Sequence, residues 1–297
     1  MIIPMWTIVI LGMRAGDLGE GAGPFHIRSM EGLDGGVLLC LLLSTLLYGA
    51  VYIYNQIHDI ESDRNNGKVF FLPQNIITLP AAYTMFAVLN IIALAGAFSI
   101  NAAFGVIFLI IAGLGILYSH PKINYKGKAG KALWSNMFGS AMLPFLIGWV
   151  YIAHNLTLEA VLKSLPYFLA VGAVYLNTTL PDREGDKKAG KETYATIWKV
   201  NRLQWSALIR AAFAVLFAWM TGDLAAFFGS LLALPFFVRA VVTEKISDSI
   251  LATKVAILLL SLFACIYFPP YLLIILLSIL LTRVYYRYRF DFAYPKF

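Results

Sequence analysis

The chain has 297 residues, 60% of them hydrophobic and only 13% charged, with a mean hydropathy of +0.76; a soluble domain carries roughly a quarter of its residues as charges. These values exclude a soluble globular protein, and spans of about 20 residues each leave little length for a separate soluble domain. The net charge of +7 and the pI near 9.3 do not point to nucleic acid, because the basic residues sit in short loops between apolar segments, where membrane topology accounts for them.

Apolar segments long enough to span, or nearly so, run over 2–13, 35–57, 78–99, 102–119, 133–153, 161–181, 203–221, 223–243, 249–267 and 270–286. The expected fold is an all-α polytopic bundle of nine or ten transmembrane helices in one domain covering 1–297. The first segment, within MIIPMWTIVILGMRAG, lacks a basic n-region and a small-residue cleavage site, so it reads as a short first span and not as a cleaved leader. Tight hairpins are expected at Ser99–Ala102, Thr221–Asp223 and Phe268–Pro270. Cys40 and Cys265 lie inside apolar runs and read as packing residues.

With a cytoplasmic N-terminus, the loops near 58–77, 120–132, 182–202 and 239–248 and the C-terminal tail share one side. They hold most of the lysines and arginines, whereas the opposite side has only Arg14, Arg28 and Lys163. The positive-inside rule therefore assigns the charged loops to the cytoplasm.

The second span ends in an NxxxDxxxD sequence. On a helix Asn55, Asp59 and Asp63 fall at i, i+4 and i+8 and line one face. Two carboxylates and an amide oxygen form a hard-oxygen site suited to Mg²⁺, an ion that takes one or two protein carboxylates and completes its shell with water and phosphate. The sixth span ends in a second cluster. Setting DIESDRNNGK over DREGDKKAGK pairs Asp59 with Asp182, Asp63 with Asp186, Arg64 with Lys187, Gly67 with Gly190 and Lys68 with Lys191. The copies, near 55–68 and 177–191, are separated by an even number of spans and so face the same compartment. A single acidic cluster is readily a solvated helix end, but two at matched offsets, each followed by a basic residue and Gly-Lys, suit a diphosphate: metal ions bridge its oxygens to the carboxylates and lysines reach the rest. Between them the 118–131 loop carries four lysines and no acid. Its Tyr118 and Lys122 form a YxxxK able to face the same cavity, while Lys126, Lys128 and Lys131 are also explained as topology charge. His58, His120 and His154 show no metal-ligand spacing.

An apolar bundle with NxxxDxxxD after the second span, YxxxK after the fourth and DxxxD after the sixth resembles the UbiA superfamily of intramembrane prenyltransferases, over about residues 1–270. The resemblance implies a helical bundle, usually of nine spans, around a central cavity open to lipid and capped by cytoplasmic loops. It implies that Asn55, Asp59, Asp63, Asp182 and Asp186 bind two Mg²⁺ ions and a diphosphate, with the four aspartates catalytic. Lys68, Tyr118 and Lys122 would contact substrate, as would Arg64, Lys128, Lys187 and Lys191. The implied partners are an isoprenyl diphosphate, from geranyl to geranylgeranyl or longer, a lipophilic acceptor that is aromatic, a quinone precursor or a lipid, and the lipid of a cell membrane. The sequence departs from the family pattern after Lys68, where Val69-Phe70-Phe71-Leu72 has phenylalanine in place of an expected arginine.

The chemistry so implied is ionisation of an allylic diphosphate and capture of the carbocation by the acceptor in a cavity that excludes water. The competing reading is a transporter for a cation or anionic metabolite using the same acidic mouth. Inverted-repeat transporters, however, place their halves in opposite orientation and their substrate at the midplane, whereas here both repeats face one side.

Overall fold

The computed structural model describes residues 2–17, 35–65, 71–188, 190–292 and 294, with the side chains of Ser62 and Asn65 outside that description. The described residues form α-helices joined by short turns: α1 (Ile2–Asp17), α2 (Gly35–Asn65), α3 (Leu79–Ile100), α4 (Ala102–Ser119), α5 (Ala129–Met137), a π-helical turn over Phe138–Met142, α6 (Leu143–Ala153), α7 (Leu158–Thr178), the short α8 (Arg183–Lys188) and α9 (Tyr194–Ile197), α10 (Val200–Thr221), α11 (Leu224–Thr243), α12 (Ile246–Tyr267) and α13 (Pro270–Phe290). Nine helical stretches among them are long and apolar enough to cross a membrane, with α5, the π turn and α6 counting as one. The chain is thus an integral, multi-pass membrane protein with the expected all-helical architecture.

The turns follow from local chemistry. Asn101 closes α3 and opens α4, its backbone N–H donating to Ala97 O and its Oδ1 accepting from Phe104 N at 2.8 Å. Gly222, at φ 67°, ends α10 in the left-handed conformation, and Asp223 then caps α11 by accepting from Ala226 N at 2.9 Å. Pro269-Pro270 starts α13 where a helix interior could not hold them.

The short first segment is a 16-residue helix at the centre of the molecule. Val9, Ile10 and Met13 of α1 have no solvent exposure, which is why the segment is apolar all round. It lies against α6 at backbone contact: a Cβ on Gly12 would stand 2.0 Å from Phe145 O, and one on Gly148 would stand 1.9 Å from Val9 O. Small residues that let helix backbones touch are the usual means of packing helices in lipid, where no hydrophobic force pulls them together.

Several helix boundaries differ from the sequence expectation, three of them in ways that shape the site. Helix α2 continues past residue 57 to Asn65 and carries the first acidic motif as helix. Helix α7 spans 158–178 and not 161–181, because Pro181 disfavours helical backbone at the residue before it. The fifth span begins at 129 and contains a π turn, for which the apolar pattern gives no warning.

Candidate active site

Helices α2 and α4 run toward the same face and touch where Gly115 lacks a side chain; a Cβ there would lie 2.7 Å from Val51. One turn further, Asn55 Nδ2 donates to Ser119 Oγ at 3.2 Å, and an amide so engaged keeps its carbonyl oxygen as an acceptor. One turn further still, Asp59 receives Lys126 Nζ at 2.7 Å, with side-chain exposures of 17% and 13%. Lys126 reaches it from a tight turn. Asn124 adopts a left-handed φ of 48°, and its Oδ1 accepts from Gly127 N at 3.2 Å around a 3₁₀ turn at Tyr125–Gly127.

The second motif is built differently. Asn177, buried at the end of α7, donates to Ser249 O at 3.2 Å, and Gln204 donates to Ser249 Oγ at 2.9 Å, so α7 is fixed to α10 and α12 just before the motif. After the break at Pro181, α8 carries Asp186 and ends in a Schellman turn: Gly190, at φ 65°, donates to Lys187 O and Lys191 N donates to Asp186 O at 3.0 Å. That turn folds Lys191 back, and its Nζ stands 3.5 Å from Asp186 Oδ1. The Gly-Lys of the second motif therefore returns a lysine to the carboxylate of its own motif. Glu192 N donates to Gly127 O at 3.1 Å and pairs with Lys128 in a single bridge, which ties the lysine turn to the second motif. Burial, with the repulsion of Asp182, holds the Asp186 carboxyl above the usual carboxylate range, and Lys191 works against that rise.

These groups converge on one polar cavity of about 340 Å³. Asp59, Asp182 and Asp186 line it together with Asn55, Tyr118, Lys126 and Lys191. Deeper, Tyr48, Tyr52 and Tyr175 are shared with a second cavity of about 480 Å³, which runs on among Met5 and Ile8 of α1, Val171 and Val174 of α7, and Ala256 and Leu260 of α12. The two form a polar mouth over an apolar depth. Among the described residues no three acidic, histidine or cysteine side chains form a ready metal cage. The carboxylates stand on separate elements around the mouth, an arrangement suited to hard cations that a polyanionic substrate helps to hold.

Of the residues singled out in the sequence, Asn55, Asp59, Tyr118, Asp182, Asp186 and Lys191 line the polar cavity. Asp63 is 5% exposed and is not among the lining residues. Arg64 is exposed and donates to Pro73 O at 3.3 Å; Lys122 and Lys187 are exposed outside the cavity; Lys128 donates to Ile123 O at 3.2 Å. Lys68 lies outside the described residues. In the sequence topology charge is one reading of Lys126, yet it is the lysine that meets Asp59; the Asn124–Gly127 turn sets it apart from the exposed Lys122, and that turn is plain only once formed. Within the segment that departs from the family pattern, the Phe71 ring lies 6.2 Å from Tyr285 and 5.9 Å from Phe290, in aromatic packing onto α13.

The model of the UbiA prenyltransferase family matches residues 22–249. Digeranylgeranylglyceryl phosphate synthase of Saccharolobus solfataricus is 23% identical over 167 residues, 56% of this chain and 58% of the relative. A 1,4-dihydroxy-2-naphthoate octaprenyltransferase of Bacillus subtilis is 31% identical over 77 residues, 26% of this chain and 24% of the relative. The matched spans thus cover little more than half of one curated relative and about a quarter of the other. Among solved structures, a UbiA homolog from Archaeoglobus fulgidus bound to GPP and Mg²⁺ aligns with a TM-score of 0.65 at 19% identity, covering 89% of this chain and 97% of that one. An apo UbiA homolog from Aeropyrum pernix aligns with a TM-score of 0.68 at 15% identity, covering 89% and 96%. At those identities the likeness is one of fold.

Proposed function

The chain belongs to the UbiA prenyltransferase family, and from that premise we propose that it transfers an isoprenyl group from an allylic isoprenyl diphosphate to a lipophilic acceptor at the polar cavity. The observation that carries this reading is the joining of two acidic motifs and two lysines at one mouth over an apolar cavity. Such a shape takes a molecule with a diphosphate head and a hydrocarbon tail. The relatives named for prenyl transfer, and the fold neighbours with GPP or DMAPP and Mg²⁺ bound, support it.

The donor set is one of hard oxygens, which fits Mg²⁺. Asn55, Asp59, Asp182 and Asp186 would hold two ions, supplying neutralisation of the charge that builds on the departing diphosphate. Lys126 and Lys191 turn from their carboxylates to the diphosphate oxygens, and Tyr118 adds a phenolic donor. The allylic C–O bond breaks with its electron pair leaving on the diphosphate. The acceptor's nucleophilic atom then bonds to that carbon, and its proton passes to Asp59 or Asp182. The rings of Tyr48, Tyr52 and Tyr175 flank the junction of the cavities, where their faces favour a cation and their bulk excludes water. The charge asymmetry of the loops supports an orientation in which this face meets the cytoplasm.

The test is turnover by the purified chain of geranyl, farnesyl and geranylgeranyl diphosphates with aromatic, quinone-precursor and glycerol-phosphate acceptors, read by product mass. Prenylated product is expected only with Mg²⁺. Asp59→Asn and Asp186→Asn should each lower kcat by roughly 10²–10³, the scale of losing one preorganised electrostatic contact at a reacting charge. Flux of ion or metabolite through proteoliposomes with no chemical conversion would instead return the protein to the transport reading.

A further inference from the structure

A separate polar cavity lies at the far end of the bundle, away from both acidic motifs. It measures about 220 Å³ and is lined by Arg14 near the end of α1, Lys163 near the start of α7, Asp223 at the turn into α11 and Tyr267 at the end of α12. Helix α7 joins the two ends of the molecule. Thr178, where that helix ends, lines the polar mouth, and from Lys163 to Thr178 a helix rises about 22 Å. A single bridging water needs only about 10–15 Å³ of such space, so this cavity has room for a much larger group.

The positive-inside rule depletes lysine and arginine on the face opposite the charged loops, and the sequence leaves only Arg14, Arg28 and Lys163 there. Two of those three border this cavity. Arg14 is 3% exposed, with its guanidinium 5.3 Å from the centre of the Tyr267 ring, and a charge buried within a membrane bundle marks a functional position by default. Lys163 Nζ stands 5.7 Å from the centre of the Trp149 ring. The Trp149 indole N–H is buried and has no hydrogen-bond partner among the described residues, a condition that native interiors rarely leave without a water or ligand to meet it. The carboxylates nearby are engaged in other ways. Asp223 accepts from Tyr167 Oη at 2.7 Å and from Ala226 N at 2.9 Å. Glu159, 2.8 Å from Lys163 Nζ, is 63% exposed in a pair that water screens, and Asp17 ends α1 one turn beyond Arg14.

We propose that this cavity binds a phosphate group at the face opposite the acidic motifs, with Arg14 and Lys163 as its charged donors and the Trp149 N–H beside them. A guanidinium and an ammonium set around one space suit an oxyanion, which takes a fork of N–H donors and a point charge together. The phosphate is either free or the head of a phospholipid in that leaflet. Once bound it ties the end of α1 to the start of α7 and the end of α12. Met5 and Ile8, earlier on α1, line the apolar depth, so the site steadies a wall of that compartment from outside. It is independent of the reaction proposed at the mouth.

The test uses the full chain labelled with fluorotryptophan, purified in neutral detergent and titrated without Mg²⁺ while the fluorine resonance that is missing from Trp149→Phe is followed. Inorganic phosphate and dihexanoyl phosphatidic acid are the probes, and dihexanoylglycerol is the uncharged control. A saturable shift of that resonance is expected with a phosphate probe and not with the control. Tighter binding of phosphatidic acid assigns the site to a lipid head, and tighter binding of inorganic phosphate assigns it to the free ion. Arg14→Gln and Lys163→Gln should each weaken binding about tenfold, as loss of one charge-assisted contact does; the second variant, at a partly exposed side chain, serves where the first fails to fold. No shift with either probe, an equal shift with the control, or unchanged affinity in Lys163→Gln would overturn the proposal. So would a shift that appears only after Glu20→Gln, Glu31→Gln and Asp34→Asn are combined, because the chain's own carboxylates would then be the occupant.

Discussion

Lys126 and Asp59 form the shortest ion pair at the mouth, 2.7 Å apart and largely shielded from solvent. In the proposed reaction an ammonium there would compete with a metal ion for the carboxylate and would also stand ready to donate to a diphosphate. Lys126→Met keeps the stem and removes the charge, so two opposite effects are expected in calorimetric titration: tighter Mg²⁺ binding without diphosphate, and about tenfold weaker diphosphate binding with it. Both affinities falling together would indicate plain structural damage and defeat the assignment. Asp186 should impose a pH dependence on metal uptake. Its raised pKa means that the proton is retained to higher pH than on an ordinary aspartate, so Mg²⁺ uptake should fall on acidification from above the usual carboxylate range. Lys191→Gln removes the group that lowers that pKa and should move the midpoint up, whereas Asp182→Asn removes a repelling charge and should move it down; a pH series of metal titrations reads both. The carboxylates were legible in the sequence because the repeat marks them, yet Asp63 was not separable from Asp59. The reason is helical geometry. At 100° per residue, an i+8 neighbour of Asn55 has drifted about 80° around the helix and about 12 Å along it, and in the structure Asp63 is buried away from the cavity lining.

At the scale of the element, the two motifs share a sequence pattern and not a conformation. The first is carried on α2 without interruption to Asn65, while the second follows a break at Pro181 and sits on the six-residue α8. Proline was visible in the sequence, but its effect on a repeat read by alignment was not, since alignment compares letters and not the backbone that carries them. Gly190 shows what the Gly-Lys of the second motif does. At φ 65° any side chain costs roughly 1–2 kcal/mol, and the cost falls on the turn that brings Lys191 back to Asp186. Gly190→Ala is therefore expected to raise KM for the diphosphate several-fold while the thermal midpoint in detergent stays near that of the parent. Gly148→Ala is the contrasting case. Its Cβ would enter the backbone of α1, overpacking of this kind costs about 1–3 kcal/mol, and a clear drop in thermal midpoint should accompany any loss of activity. The nine spanning helices were legible because their apolar runs have about the length of a bilayer. The π turn was not, because Phe138-Gly139-Ser140-Ala141-Met142 reads as ordinary apolar helix.

Across the whole molecule, the polar mouth at one face and the apolar depth reaching between α1, α7 and α12 would, in the proposed reaction, set the depth to which a prenyl tail is buried. The far wall of that depth is thin. Ala170, Ala256 and Leu260 line both it and a small neighbouring void bordered by Ala211, Gly229 and Ala233, and a Cβ on Gly229 would stand 2.8 Å from the Leu260 side chain. Leu260 thus closes off space that small residues on α10 and α11 leave open. Each buried CH₂ contributes about 0.8 kcal/mol, so a five-carbon isoprene unit that gains or loses a place changes binding by roughly 3–4 kcal/mol, far more than a polar contact at the mouth. Leu260→Ala should shift preference toward longer isoprenyl diphosphates, and Ala256→Phe should shift it toward shorter ones. The measurement is a competition among geranyl, farnesyl and geranylgeranyl diphosphates at limiting enzyme, with product ratios read by mass. Opposite shifts from two residues one helical turn apart on α12 are not produced by general loosening of the bundle; unchanged ratios in both variants would mean that the tail lies elsewhere, and the apolar depth would lose its place in the proposed reaction.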